Sequence, residues 1–397
     1  MTRSLPLAGV RILDFTQVQF GPIATQVLAD YGADVIKVER PGVGDLTRST
    51  DVQATSIDDS AYFLSLNRNK RSLTLDLKSP VAADVLHRAL ETTDVLVENF
   101  RPGVMDRLGF GYDALAERYP RLVYAAGTGF GRTGPLAHKG GQDLLAQAMS
   151  GAAYHARGDD GRPRLYPLPV ADYGAGMSLV QGVLLALLER ERSGRGQRVD
   201  VSLLDTISYI QLQEYVQWRL HRFEVNWETQ NLAGVFATSD GWIAVVGMFK
   251  PDPLRHICQG LGIDDLSQDP RFATLEQQLA RKDELWPLLE VGFAKLTTDE
   301  AVTRLDEQDV LCAPVLDYDQ FPTHPQAVHN GIFREVDHPT LGRLSLVESP
   351  LRLSEASADQ RPFSSPPLLG QHTDQVLDEL GYSAEEIASL RDRKVVS

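Results

Sequence analysis

Short apolar runs alternate with longer amphipathic stretches through the first half of the chain. Val10–Phe15 is of strand length, a polar stretch Thr16–Pro22 follows, and IATQVLADY then carries helical spacing up to Gly32. Pro22 suits a first helical turn. Asp34–Glu39 (DVIKVE) predicts a second strand, so residues 10–40 make a β-α-β unit of the length that parallel sheets use. The rhythm continues with a strand in SLTLDL (72–77), a helix over Val81–Thr92 and a strand in DVLVENF (94–100). A helix over Tyr112–Arg118 and a strand over Leu122–Ala126 follow. Repeated βα units predict an α/β fold with a doubly wound, Rossmann-like parallel sheet.

The strongest pattern lies in Arg162–Asp205. MSLVQGVLLALLERER (177–192) is apolar nearly all round, which predicts a helix buried against the sheet. Ser193-Gly194-Arg195-Gly196 stops it, and RVDVSLLD resumes with strand-like alternation. Asp172 stands just ahead of this helix, followed by Gly174 and Gly176. An acid there is an N-cap on one reading, accepting an N–H of the first turn. On the other it is a nucleophile kept ionised by the helix N-terminus, with glycines that leave room for a large reactant. Asp143, opening the helical pattern QDLLAQAMSG, carries the same ambiguity, with capping as the leading reading.

Open α/β sheets bind ligands beyond the carboxyl ends of their strands. That edge receives Gln19 after the first strand, Arg40 after the second, and Asn99 and Arg101 after DVLVENF. Arg68, Lys70, Arg71 and Lys78 bracket SLTLDL, a basic cluster in an acidic chain. Gly129–Gly134 is a literal GxGxxG match, yet Pro135 and more loop separate it from the next helix near Gln142. It is therefore read as a flexible loop at the active edge rather than a dinucleotide fingerprint.

Later segments predict four parts. Residues 1–205 form a large α/β domain, 206–224 a helical linker, 225–322 a smaller α+β domain, and 323–397 a returning segment with a hairpin at 333–351 and a last helical region. A net charge of −15 argues against a nucleic-acid binder or a protein docking on anionic lipid. Cys258 and Cys312 are the only cysteines and lack metal-ligand spacing, so no metal and no disulfide framework is expected. The amino-terminal stretch lacks a signal-peptide core, and no run approaches 18 apolar residues, so a soluble cytoplasmic protein is expected.

Taken together, five segments resemble the class III CoA-transferases, the CaiB/BaiF type that includes formyl-CoA:oxalate and carnitine enzymes. They are LAGVRILDFTQVQFGPIATQVLADYGADVIKVERPGVGD, FLSLNRNKRSLTLDLKSP, DVLVENFRPGVMDRLGFGYDAL, VADYGAGMSLVQGVLLALLERERSGRGQRVDVSLLD and PLLGQHTDQVLDELG. The resemblance implies a CoA-binding enzyme without a tightly bound cofactor, acting on acyl-CoA and a small carboxylic acid as an interlocked homodimer. It implies Asp172 as nucleophile and Gln19 beside the reacting carbonyl. Arg40, Leu75–Lys78, Asn99, Phe100, Arg101, Arg107, Lys139 and Gln142 would line the CoA site.

Departures narrow the expectation. The formyl-CoA:oxalate enzymes carry a glycine-rich loop where NLAGVFATSDGW runs straight through, and a tyrosine and glutamate where this chain has Gln142 and Asp143. A small carboxylic or dicarboxylic acid is therefore expected rather than oxalate by name. A 2-methylacyl-CoA racemase on the same fold would need a His-Asp pair at that point, and the imidazole is absent, the nearest being His138. A silent CoA-binding protein would require Asp172 to be buried and capped.

Overall fold

The computed structural model describes residues 5–158, 160–227, 230–248, 250–356 and 361–397. The first four residues of the amino-terminal stretch lie outside that set. The chain divides into two compact units, Met1–Leu212 with Gly331–Ser397, and Gln213–Asn330.

In the first unit six strands form one parallel sheet: β1 (Arg11–Asp14), β2 (Asp34–Glu39), β3 (Lys70–Thr74), β4 (Val95–Glu98), β5 (Val123–Thr128) and β6 (Arg198–Ser202), in the order β3-β2-β1-β4-β5-β6. The predicted α/β, Rossmann-like sheet is therefore present. Both faces are buried, which is why the strands read as near-continuous apolar runs. Ile12, Val35, Val95 and Val123 face a core shared with helices Phe20–Asp30 and Val170–Ser193. Their neighbours Leu13, Ile36, Leu96 and Tyr124 face the opposite core, with helix Ala82–Leu90 and the carboxyl-terminal helices. Pairing reverses direction in sequence between β1 and β4, so the switch point of the sheet lies there.

The helix Val170–Ser193 begins seven residues before the predicted apolar run, and Asp172 lies in its first turn. By length and mean hydropathy, 1.4 over an 18-residue window, it matches a membrane span, contrary to the expectation from apolar runs. The difference arises because Asp172, Ser178, Gln181 and the glycines break the run, while the many Leu, Val and Ala residues keep the average high. One side packs through Ala175, Leu179, Val183 and Ala186 into the core. The other leaves Tyr173, Leu184, Leu185 and Leu188 exposed, so it is not buried all round as predicted.

Gly174 and Gly176 serve packing rather than access. A Cβ on Gly174 would press on Ile210 and Thr206, and one on Gly176 on Ile23 and the Phe20 carbonyl. Three members of the basic cluster around β3 are likewise consumed internally, leaving Lys78 exposed. Arg68 pairs with Asp30, Lys70 with Asp14, and Arg71 with Asp34 and Glu379.

The returning segment supplies the antiparallel hairpin β10 (Phe333–His338) and β11 (Gly342–Val347). It then covers the β3 edge, where His372 donates from its amide to Ser72 and Asp76 donates to Val395. In the second unit, β7 (Ala233–Ala237), β8 (Trp242–Val246) and β9 (Leu311–Pro314) form an antiparallel sheet over helices Pro253–Leu261, Lys282–Phe293 and Thr298–Glu307. Leu311–Pro314, near the end of this unit, is thus its third strand. The helical linker predicted over 206–224 divides between Leu203–Ile210 and Leu212–His221.

Candidate active site

The loops beyond the carboxyl ends of β1, β4 and β5 converge on one cleft. The Phe15 amide donates to the Val97 carbonyl at 2.8 Å, the last rung joining β1 to β4. Past that rung the chain turns through Thr16–Gln19 into helix Phe20–Asp30, while β4 runs on to Asn99–Arg101. The loop after β5 lies against the loop before helix Asp143–Met149. The backbones of Gly129 and Gly141 are so close that a Cβ on either would overlap the other's main chain. The first half of the GxGxxG segment therefore forms a cleft wall, with Gly129, Phe130 and Gly131 lining the cleft.

This cleft has a volume of about 420 Å³ and gathers Gln19, Asn99, Phe100, Arg101, Lys139, Gln142 and Asp172. Arg101 and Lys139 are exposed cations on its rim, and Lys139 stands 5.8 Å from the Phe130 ring. A second pocket, of about 530 Å³, opens on the other side of the same acid. Thr47, Thr50, Tyr62, Ser65 and Tyr166 line it together with Leu66, Leu144 and Leu168, and the hydroxyls of Thr47, Thr50 and Ser65 donate within the protein, to Asp45 Oδ1, Thr47 O and Tyr62 O. Val18, Gln19, Gln142 and Asp172 belong to both.

Asp172 is not the cap of its helix. Pro169 holds the N-cap position and offers no side-chain bond. The capping acid is Asp143, from the neighbouring helix, whose Oδ1 accepts from the Ala171 amide at 2.7 Å and the Asp172 amide at 3.0 Å. Its Oδ2 accepts from Gln147 Nε2 at 2.6 Å. Asp143 thus caps as expected, but a different helix from its own. Among the described residues none donates to the Asp172 carboxylate, which stays free at the junction of the two pockets.

The electrostatics run against the expectation that the helix terminus keeps Asp172 ionised. Burial, with the Asp143 charge added, pushes its pKa up to about 7. A carboxylate with a raised pKa is more basic and a better nucleophile once ionised.

Arg40, Leu75, Lys78 and Arg107 lie outside the cleft. Arg40, Lys78 and Arg107 are exposed beyond it. Leu75 is a core residue under helix Ala82–Leu90, so its side chain cannot touch a ligand, and its amide is bonded to the Glu39 carbonyl. Asn99 lines the cleft, but both ends of its amide are occupied: Oδ1 accepts from Gln17 N and Nδ2 donates to Gln17 O, each at 2.8 Å. It clamps the β1 loop across the switch point. Sequence reading missed that Asp143 caps the Asp172 helix rather than its own, and missed Tyr166 and Leu168 as pocket walls, since all three act across chain separations that no local pattern records. Among the described residues there is no cluster of His, Cys, Asp and Glu fit to hold a metal.

A parallel sheet with a cleft at its switch point, rim cations and a free carboxylate defines an α/β protein with an enzyme-like cleft suited to an anionic reactant. The sequence model of CoA-transferase family III matches residues 7–373. Formyl-CoA:oxalate CoA-transferases of Escherichia coli O157:H7 and of Shigella dysenteriae serotype 1 are each 35% identical over 422 aligned residues, covering 99% of this chain and 100% of theirs. A CAIB/BAIF family protein from Brucella suis superposes with a TM-score of 0.85 at 29% identity, covering 95% of this chain and 100% of that one. Rv3272 from Mycobacterium tuberculosis gives 0.79 at 34%, covering 93% and 98%. The chain belongs to CoA-transferase family III, and it is an enzyme that acts on CoA thioesters.

Proposed function

We propose that this enzyme moves CoA from an acyl-CoA to a small carboxylic acid through covalent intermediates on Asp172. The observation that carries this reading is the free Asp172 carboxylate, open at once to a cleft with rim cations and to a second pocket of mixed polar and apolar lining. CoA would lie in the first with its thioester at Asp172, and the acid in the second. Arg101 and Lys139 suit CoA phosphates. CoA is longer than the cleft, so its nucleotide would extend towards Arg40 and Lys78, neither of which has an ion-pair partner among the described residues.

The Asp172 carboxylate attacks the thioester carbonyl, and the C–S bond breaks to give an acyl-aspartyl anhydride and CoA thiolate. The thiolate then attacks the aspartyl carbonyl, releasing the donor acid and leaving an aspartyl-CoA thioester. The acceptor carboxylate reverses both steps and regenerates Asp172, with no net proton change. Gln19 donates to the carbonyl oxygen as charge develops there. A racemase reading lacks support, because no histidine is among the residues lining either pocket.

The exposed apolar side of helix Val170–Ser193, with Tyr209 and Ile210 exposed on the next helix, supports a homodimer, interlocked as the family resemblance implies. A cytoplasmic location remains part of the same proposal.

Intact-mass analysis with formyl-, acetyl-, propionyl- and succinyl-CoA, followed by hydroxylamine trapping, tests the reading. A hydroxamate on the Asp172 peptide, absent from Asp172→Ala, supports it and names a donor. No adduct with any donor, together with solvent-proton exchange at the alpha carbon of a 2-methylacyl-CoA, refutes it in favour of the racemase.

A further inference from the structure

The turn that carries Gln19 is bonded by side chains at every main-chain polar group from Thr16 N to Val18 N. Asp14 Oδ1 accepts from Thr16 N at 2.9 Å, and Lys37 Nζ donates to Thr16 O at 2.7 Å. Asn99 takes both polar groups of Gln17. Asp45 Oδ1 accepts from Val18 N at 3.1 Å and from Thr47 N at 2.9 Å. Such dense restraint has a visible reason. Val18 sits at φ 68°, a left-handed conformation that a β-branched residue rarely adopts and that persists only where its surroundings enforce it.

Two of the restraints are themselves a buried ion pair. Lys37 Nζ stands 2.8 Å from Asp45 Oδ2, with the two side chains 1% and 0% exposed. Burial drives both groups towards neutrality, but attraction to opposite charge prevails, holding Asp45 below the usual carboxylate range and Lys37 above the usual amine range. Neither charge lines the pockets or reaches a reactant.

We propose that Lys37 and Asp45 are positioning residues, a buried clamp that forces Val18 into its left-handed conformation and so aims the Gln19 amide at the junction beside Asp172. This rests on the transferase reading of Gln19 and Asp172. Without the clamp the turn relaxes to an ordinary negative φ, and Gln19 leaves the point where the carbonyl oxygen reacts. The loss falls on turnover rather than on acyl-CoA binding, because the cations of the cleft are untouched.

The test is a double-mutant cycle on the full-length enzyme, using whichever of the four acyl-CoAs labels Asp172. Asp45→Asn is expected to lower kcat per folded molecule about 30-fold, within the range a displaced group costs, with KM for the acyl-CoA changed less than about threefold. In a Val18→Gly background the same substitution is expected to cost about 5-fold or less, since glycine occupies positive φ without strain. Lys37→Met combined with Asp45→Leu removes the pair without stranding a buried charge, and should reproduce the kcat loss if Asp45→Asn folds poorly.

Hydrogen-exchange mass spectrometry of the peptide spanning Phe15–Phe20 gives a readout independent of turnover, and about tenfold faster exchange is expected in Asp45→Asn. Unchanged exchange overturns the clamp. Faster exchange with unchanged kcat, or an equal kcat loss in the Val18→Gly background, overturns the positioning role. If no acyl-CoA labels the wild type, the transferase reading fails and the positioning role with it, and exchange alone then decides whether the turn is clamped.

Discussion

Replacing Asp172 with asparagine should make the protein more stable above neutral pH. Asparagine keeps the shape and removes the ionisation. The folded enzyme holds the Asp172 proton up to about pH 7, whereas the ordinary value for the unfolded chain is 3.8. Between those values the folded state binds more protons than the unfolded one, so wild-type stability falls as pH rises through this window. A difference of about 3 units corresponds to about 4 kcal/mol at full ionisation. Partial solvent access through the two pockets argues for discounting this by half, to about 2 kcal/mol at pH 8. The gain should vanish below about pH 4, where both forms are protonated, and grow to its full size near pH 7. Urea unfolding of wild type and Asp172→Asn at four pH values between 4 and 8 measures it, read on the transition of the Asp172 unit. A gain of the same size at every pH, or none at pH 8, would refute the claim that Asp172 is held in an environment hostile to its charge.

Other substitutions probe different parts of the site. Covalent labelling of Asp172 should quicken as pH rises through about 7, and Asp143→Asn, which keeps an acceptor for the Ala171 and Asp172 amides while removing the charge, should move that inflection to lower pH in stopped-flow quench measurements. Arg101→Ala and Lys139→Ala should raise KM for acyl-CoA about tenfold with kcat little changed, and weaken its salt dependence in steady-state kinetics. Gly176→Ala, whose Cβ would lie 2.9 Å from Ile23 Cγ2 and 3.0 Å from the Phe20 carbonyl oxygen, should cost about 1–3 kcal/mol by denaturant unfolding.

The sheet was legible because both of its faces are buried. Each strand therefore announces itself as a compact apolar run, and the turns between strands and helices carry glycine and proline. Helix starts were harder. The Asp172 helix begins at Val170, but Asp172, Gly174 and Gly176 look like loop until it is known that Asp143 caps it from another element and that the glycines accommodate neighbouring helices. For the same reason Asp172 and Asp143, alike in sequence, divide into a free acid and a cap only through a contact 28 residues apart. Gln19 and Arg101 could be placed at the cleft from the strand ends alone, whereas Lys139 was reached only through the family resemblance. Leu75 could not be excluded that way, because a strand end does not reveal which side chain turns into the core. The basic cluster around β3 misled, since Arg68, Lys70 and Arg71 find acids brought close only by the finished sheet.

The covering of β3 by the returning segment has a consequence for biosynthesis. The strand leaves the ribosome early, yet residues that shield its edge, such as His372 and Val395, emerge some 300 residues later, after all of Gln213–Asn330 has been made. Throughout that interval the nascent chain carries a bare strand edge rich in unpaired amides and carbonyls. A product cut short before Gly331 would keep that edge for good. Premature termination in this protein should therefore yield aggregates or chaperone clients rather than a smaller working enzyme, and the last residues act as the seal on structure laid down first.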